Sequence, residues 1–312
     1  MYRCQKKVAV LMATYNGEKY ISEQIESVLC QTFKDFCIYI HDDGSTDKTK
    51  EMIQKFEREN PGRIVIMDSS PQGGAKANFL YMLRNVAADI YMFCDQDDVW
   101  MKDKMEKSVT KFDDNIENGP MLVYTDLRYV DKDLNTIEDS YFQYMGKNSN
   151  KNSIQDILKK NLFVGCTLTI NRKLRDIALN YRDINNIFMH DWWIGLIASV
   201  KGDMFFIDEQ MIMYRQHDNN VTGVKNHGRV GGIFKRWINV KKGMEIKKQY
   251  IRQRIWFAKE LVNIMDGEEK DYMFIKGLAE LENKSKGARI KFYLDNGMME
   301  ENKNILWQML WI

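Results

Sequence analysis

Through the first hundred residues, short runs of apolar positions alternate with segments whose apolar residues recur every three or four places. Residues 8–13 are apolar throughout, the pattern of a strand buried on both faces of a sheet. Asn16 and Gly17 break the run, and Ile21, Ile25, Val28 and Leu29 follow at helical spacing. A second strand is predicted at 36–40, ending in Asp42-Asp43-Gly44-Ser45. Ser45 or Asp47 can cap the next helix, whose apolar positions are Met52, Ile53 and Phe56. A third strand is predicted at 63–67. After Gly73-Gly74 a helix carries Phe79, Met82, Leu83 and Val86, and a fourth strand at 90–94 ends in Asp95-Gln96-Asp97-Asp98.

Strands and helices alternating at this spacing predict an α/β fold with a Rossmann-like, mostly parallel sheet flanked by helices. Ligands of such sheets bind outside the carboxyl ends of the strands. Three polar clusters fall at those ends: Thr14-Tyr15-Asn16, Asp42-Asp43 and Asp95 to Asp98. The second half is less regular. Strands are predicted at 121–125, 167–170, 204–207 and 211–215, a helix at 154–162, and a loop at 147–153. Asn171 can cap a helix. Near Gly223 the composition shifts. Residues 224–260 hold eleven Lys or Arg against two Glu, with Gly228, Gly231 and Gly232 as a linker. Ile246, Tyr250, Ile251, Ile255, Ala258 and Val262 then mark one helical face. The expected organisation is a catalytic domain over 1–222 and a helical, basic and aromatic extension over 223–312.

The net charge of +2 gives no reason to expect a nucleic-acid partner. The five cysteines are scattered without a CxxC pair, which argues against a disulfide framework or a zinc site. No apolar run reaches bilayer-spanning length, and the first residues lack a signal-peptide pattern. The expected location is the cytoplasm, with any membrane contact peripheral and on the inner face.

Three carboxylates within Asp95-Gln96-Asp97-Asp98 repel one another unless a cation joins them. Mg²⁺ and Mn²⁺ take oxygen ligands, commonly one or two carboxylates plus phosphate oxygens. A solvated acidic loop is the bland alternative, and the position directly after a buried strand weighs against it. Asp42-Asp43-Gly44-Ser45 poses the same choice between turn capping and ligand binding.

Val10-Leu11-Met12-Ala13-Thr14-Tyr15-Asn16, then Gln31-Thr32-Phe33, then Asp42-Asp43-Gly44-Ser45-Thr46-Asp47, then Asp95-Gln96-Asp97-Asp98 resemble the family 2 glycosyltransferases of GT-A fold. The order and spacing agree over about the first hundred residues. The resemblance implies an inverting transfer from a nucleoside-diphosphate sugar to a saccharide or lipid-linked acceptor, assisted by Mn²⁺ or Mg²⁺. Thr14, Tyr15 and Asn16 would frame the nucleotide, Asp43 would meet its base, and Asp95 would bind its ribose or support the metal site. Asp97 would ligate the metal, with Asp98 as a second ligand or a buttress. Asp191 in His190-Asp191-Trp192-Trp193 would be the general base, where the family's usual pair is Glu-Asp. Trp192 and Trp193 would face the acceptor, with core packing as the alternative. Arg215 and His217 would contact diphosphate, His217 also as a metal ligand, and Gly165-Cys166-Thr167 would turn on the acceptor side. The Asp95 to Trp100 and Tyr214 to Gly223 segments resemble bacterial rhamnosyltransferases of surface-polysaccharide assembly, which implies dTDP-rhamnose.

A basic helix near 240–262 with Trp237, Tyr250, Trp256 and Phe257 suits an anionic membrane surface. The alternatives are packing against the catalytic domain and a homo-oligomer contact. Two other functions fit the nucleotide-binding half: a sugar-nucleotide pyrophosphorylase and a non-catalytic nucleotide-sugar-binding protein. The first would need a Gly-rich, Arg-bearing loop where Thr14 to Glu18 stands.

Overall fold

The computed structural model describes the backbone of residues 2–3, 5–67, 70–113, 119–146, 153–216 and 233–299, with all their side chains except those at 113, 184, 233–244 and 246. Contacts divide the chain into two compact units. One comprises Met1–Lys151, Leu162–Asn180 and Met189–Thr222; the other comprises Asn152–Asn161, Tyr181–Phe188 and Gly223–Ile312. A single boundary between 222 and 223 makes no allowance for the two short segments that the second unit draws from earlier in the chain.

In the first unit the strands are β1 (Val8–Thr14), β2 (Phe36–Asp42), β3 (Ile64–Ile66), β4 (Ile90–Cys94), β5 (Val99–Trp100), β6 (Met121–Val130), β7 (Leu168–Asn171) and β8 (Asp203–Arg215). They form one sheet in the order β3-β2-β1-β4-β7-β6-β8-β5, and Thr136–Glu138 pairs with β6. Outside it, Tyr2–Arg3 pairs with Val86–Ala87. The helices are α1 (Ile21–Leu29), α2 (Thr49–Glu59), α3 (Ala75–Asn85), α4 (Lys104–Asp113), α5 (Arg172–Ala178) and α6 (His190–Lys201).

β1 lies between β2 and β4, all three parallel. From Val8 to Met12 and throughout β2 and β4 the residues are buried, which is why these strands are apolar runs without alternation. Register places the site. Thr14 pairs with Asp42, and Met12 with Cys94, so the three carboxyl ends finish close to level.

The parallel pattern stops there. β7 runs antiparallel between β4 and β6, so the turn that precedes β7 lies at the carboxyl end of β4. The two strands expected at 204–207 and 211–215 are one, β8, which pairs in parallel with β6 through two register shifts around Gln210. Those irregularities absorb the polar Asp208 and Glu209, which are exposed. β5 is antiparallel to β8 and pairs Val99 with Met213, bringing Arg215 beside Asp97 and Asp98. The sheet is therefore mixed: parallel through β3-β2-β1-β4, antiparallel on both sides of β7, parallel between β6 and β8, and antiparallel at β5.

The second unit contains α7 (Ile233–Ile264), α8 (Tyr272–Ala279), α9 (Lys286–Asp295) and the short helix Ile154–Lys159. Ser153 caps that helix by accepting from Asp156 N. The buried face of α7 holds Ile251, Arg254, Ile255, Phe257, Ala258 and Leu261. Arg254 is accommodated there because its guanidinium donates to the carbonyls of Leu158 at 2.8 Å and Lys159 at 2.6 Å. Phe257, expected on a membrane-facing side, is fully buried, while Tyr250 and Trp256 are half-buried. The side chains of Trp237 and Ile246 lie outside the described set. Among the described residues, no helix is long and apolar enough to cross a membrane.

Candidate active site

The loops after β1 and β2 are laced together. Asn16 takes a positive φ of 49°, a conformation that Asn tolerates better than most residues. Its N–H donates to Ser45 Oγ at 2.8 Å, and its side-chain oxygen accepts from Thr46 N at 2.8 Å. Gly17 N donates to Thr49 Oγ1 at 2.8 Å. Asp42 is buried and accepts from Thr14 Oγ1 at 2.9 Å, Ser45 N at 2.7 Å and Gly44 N at 3.1 Å. The first acid of the pair thus builds the turn. The second, Asp43, points elsewhere: its carboxylate accepts from the N–H groups of Gln72, Gly73 and Gly74, just before α3. Tyr15 stands 57% exposed at the rim, held by Gln96, whose amide pairs with both its N–H and its carbonyl.

At the end of β4, Asp95 and Asp97 are half-buried and Asp98 is fully buried. Asp98 Oδ1 accepts from Arg215 N at 3.1 Å. Arg215, expected at diphosphate, is itself turned inward and buried. Its guanidinium donates to the carbonyls of Asp97 and Lys132, pairs with Glu23, and lies 4.5 Å from the centre of the Tyr20 ring. With those partners it braces the Asp97-Asp98 segment. His217 lies outside the described residues.

The turn Gly165–Thr167 is where β7, β4 and α6 meet. A methyl group on Gly165 would lie 2.8 Å from His190 Nε2 and 4.0 Å from Asp191 Cβ, so only glycine permits this approach. His190 fills a slot beside Phe79 and Phe93, with ring centroids at 4.5 and 5.4 Å. Burial holds its pKa down at about 3, so the ring is neutral. Asp191 sits in the first turn of α6 and accepts from Trp192 N at 2.7 Å. It lies near enough to Asp95 to act on it electrostatically. Trp192 and Trp193, expected to face an acceptor, are both buried in the core, and Trp193 Nε1 donates to Ala178 O at 2.8 Å. At helical spacing behind a buried His, two indoles fill volume; neither presents a face to a sugar.

Crowding sets the electrostatics. Burial, then Asp97 and Asp191, raise the Asp95 carboxyl above the ordinary carboxylate range; burial, then Asp97 and Asp95, push Asp98 well up. Such a centre attracts a cation. The set expected from the motif is Asp97, Asp98 and His217. The structure instead gathers Asp95, Asp98 and Cys166, with one ligand atom of each within 4.8 Å of the others. Asp98 Oδ2 is buried and accepts no hydrogen bond, an unsatisfied oxygen of the kind a divalent ion completes. The donor set therefore fits an ion.

Several contributors carry no sequence signal on their own. Gln96 is the one uncharged position of the acidic motif, and Glu23 is one polar residue among many on α1. Gln31 of the Gln31-Thr32-Phe33 motif is a buried clamp: it donates to Met101 O at 2.7 Å and accepts from Met105 N at 3.0 Å. Lys104 is fully buried at the start of α4, its Nζ 4.0 Å from the centre of the Trp100 ring and without a hydrogen-bond partner. Burial lowers its pKa to about 8.

Comparison with known proteins agrees with this architecture. The family described as Glycosyl transferase family 2 matches residues 9–178. The dTDP-rhamnosyl transferase RfbG of Shigella flexneri is 29% identical over 241 residues, covering 72% of this chain and 80% of the relative. Among solved structures, S. aureus TarS 1-349 in complex with UDP-GlcNAc superposes with a TM-score of 0.58 at 17% identity, covering 98% of this chain and 78% of the other. The mannosyltransferase PcManGT from Pyrobaculum calidifontis, in complex with GDP-Man and Mn²⁺, gives a TM-score of 0.55 at 14% identity, covering 99% and 79%. At those identities the likeness establishes the GT-A fold.

Proposed function

The chain belongs to glycosyl transferase family 2, and from that premise we propose that it moves a sugar from a nucleoside-diphosphate donor to a saccharide or lipid-linked saccharide with inversion, Asp191 acting as base. The observation that carries this reading is the cluster of Asp95, Asp97 and Asp98 at the carboxyl end of β4, with Asp191 near enough to Asp95 to act on it. dTDP-rhamnose is the favoured donor, supported by the similarity to RfbG. Membership of the family answers the pyrophosphorylase alternative; turnover answers the non-catalytic one.

Thr14, Tyr15 and Asn16 line the nucleotide side of the site, and Asp43 shapes the base pocket through its hold on residues 72–74. Asp95 meets the ribose or supports the metal site. Asp98 would hold a divalent ion, Mn²⁺ or Mg²⁺, with Asp97 and His217 as further ligands. When bound, that ion supplies positive charge against the diphosphate as it departs. Asp191 takes the proton of the acceptor hydroxyl. The freed oxygen attacks the anomeric carbon from the face opposite the diphosphate. The carbon–oxygen bond to phosphate breaks, and the nucleoside diphosphate leaves with the electron pair. No protein nucleophile is needed, and the anomeric configuration inverts.

A lipid-linked acceptor would bring the enzyme to the inner face of the plasma membrane, met by the basic stretch 224–260. The chain should then sediment with anionic vesicles and not with neutral ones, and charge reversal at Lys247 and Lys248 should weaken that binding. Equal sedimentation with anionic and neutral vesicles would remove the membrane role and leave packing against the catalytic domain or a homo-oligomer contact as the use of this region.

The reaction class is tested by nucleoside-diphosphate release from UDP-, GDP- and dTDP-sugars, with Mn²⁺, Mg²⁺ or EDTA. Release from one donor that EDTA abolishes is expected. Release that ignores EDTA would remove the metal; calorimetric binding of none of the donors would remove the donor class.

A further inference from the structure

The buried floor of the acidic centre contains a sulfur. Cys166 lies in the Gly165–Thr167 turn that β7 brings to the end of β4. Cys166 is fully buried, and its Sγ lies within 4.8 Å of a carboxylate oxygen of Asp95 and of Asp98. Asp98 is also fully buried, and its Oδ2 has no hydrogen-bond partner. Three potential ligands thus face one point; the Cys166 thiol is near enough to donate to the two carboxylates when no ion is bound, and Asp98 Oδ2 has no other partner.

We propose that Cys166 is a ligand of the divalent ion at this centre, which is then held by two carboxylates and one sulfur. The proposal rests on the reading that the centre takes a divalent ion. Binding forms a metal–sulfur bond and releases the thiol proton to solvent. Charge supports it. With a thiolate, Asp95 and Asp98 carry three negative charges, which a dication and the ammonium of Lys104 offset; Asp97 and Asp191 leave the surroundings negative, which favours a bound cation. Lys104 is buried without a hydrogen-bond partner, and Cys166 and Cys94 are the groups that act on it electrostatically. Cys94 is already engaged, accepting from Gln24 Nε2 at 2.7 Å. Sulfur favours borderline ions over hard ones, so the centre should prefer Mn²⁺ or Co²⁺ to Mg²⁺.

Co²⁺ is the probe, because thiolate ligation adds a near-ultraviolet sulfur-to-cobalt charge-transfer band to the visible bands of the ion. The full chain is used in a Cys4→Ser, Cys30→Ser background, which removes the exposed thiol and the one outside the described residues. It is titrated with Co²⁺ alone and with UDP or dTDP present. Both sets of bands are expected. Cys166→Ser should lose the charge-transfer band, keep the visible bands, and bind Co²⁺ about tenfold more weakly while Mg²⁺ affinity is unchanged. Visible bands without charge transfer, a charge-transfer band that survives Cys166→Ser, or no cobalt bands at saturation would each overturn the proposal. Metal-dependent sugar transfer without the charge-transfer band would sink the sulfur ligand and leave the function standing. The band without turnover of any donor would do the reverse.

Discussion

The side-chain amide of Gln96 closes on the backbone of Tyr15 from both sides, Oε1 accepting Tyr15 N–H at 2.8 Å and Nε2 donating to Tyr15 O at 2.9 Å. This ties the loop after β1 to the acidic motif after β4, although 81 residues separate them. Gly17 makes room for the clasp, since a methyl group there would overlap the Gln96 amide.

Gly17→Ala should therefore loosen Tyr15 rather than unfold the protein. Two neutral, partly exposed hydrogen bonds are worth about 1–3 kcal/mol together. The expected outcome is a rise of about tenfold in donor KM with little change in Tm. Gln96→Ala should match it. A normal donor KM in both variants would show that the clasp does not shape the nucleotide site.

Arg215 predicts a stability effect. Arg215→Met removes donors to the carbonyls of Asp97 and Lys132 and leaves Glu23 unpaired. Glu23 is half exposed, so its share is small. A loss of about 2–4 kcal/mol is expected in urea unfolding. Arg215→Lys should not restore it, because one ammonium cannot reach partners in three directions. Full rescue by Lys would argue for a simple charge requirement at this position.

Trp193 separates core from acceptor platform. Trp193→Ala should cost about 3–5 kcal/mol of stability. Trp193→Phe, which keeps most of the volume and loses the bond to Ala178 O, should cost less and leave acceptor KM unchanged. A raised acceptor KM in the Phe variant would return the indole to the acceptor side.

His190 predicts a pH dependence. Its pKa is about 3 in the folded chain, against an ordinary value near 6.5. Between those values the unfolded chain takes up a proton that the folded chain refuses. The contribution to stability is full above pH 6.5 and is lost as pH falls toward 3. Asp95 and Asp98, whose pKa values are raised, act in the opposite sense, so the readout is a difference between proteins. From pH 7 to pH 4.5, wild type should lose roughly 2–3 kcal/mol more than His190→Leu. Parallel stability curves would mean that the ring is protonated in the folded protein.

The nucleotide half of the fold is legible because a strand buried on both faces has to be apolar without interruption, as residues 8–12 and Ile90–Cys94 are. The polar residues that end such strands stand out for the same reason. β8 is less legible: Asp208 and Glu209 break its apolar pattern, and the register shifts that accommodate them depend on β6. The direction of a side chain is less legible still. Arg215 turns inward because Glu23 and the carbonyls of Asp97 and Lys132 surround it, and its sequence neighbours carry no trace of that. Cys166 looks like a small core residue until the antiparallel course of β7 sets it against Asp95 and Asp98.

The central claim is that Asp191 is the base of a metal-assisted inverting transfer, and Asp191→Asn tests it most directly. Asn keeps the size and the acceptor for Trp192 N, and removes the negative charge together with the capacity to take a proton. With the donor that the wild type turns over, kcat should fall by a factor on the order of 10²–10⁴, while donor KM and calorimetric donor binding stay close to wild type. A kcat within a few-fold of wild type would contradict the account and move the base to another carboxylate of the cluster.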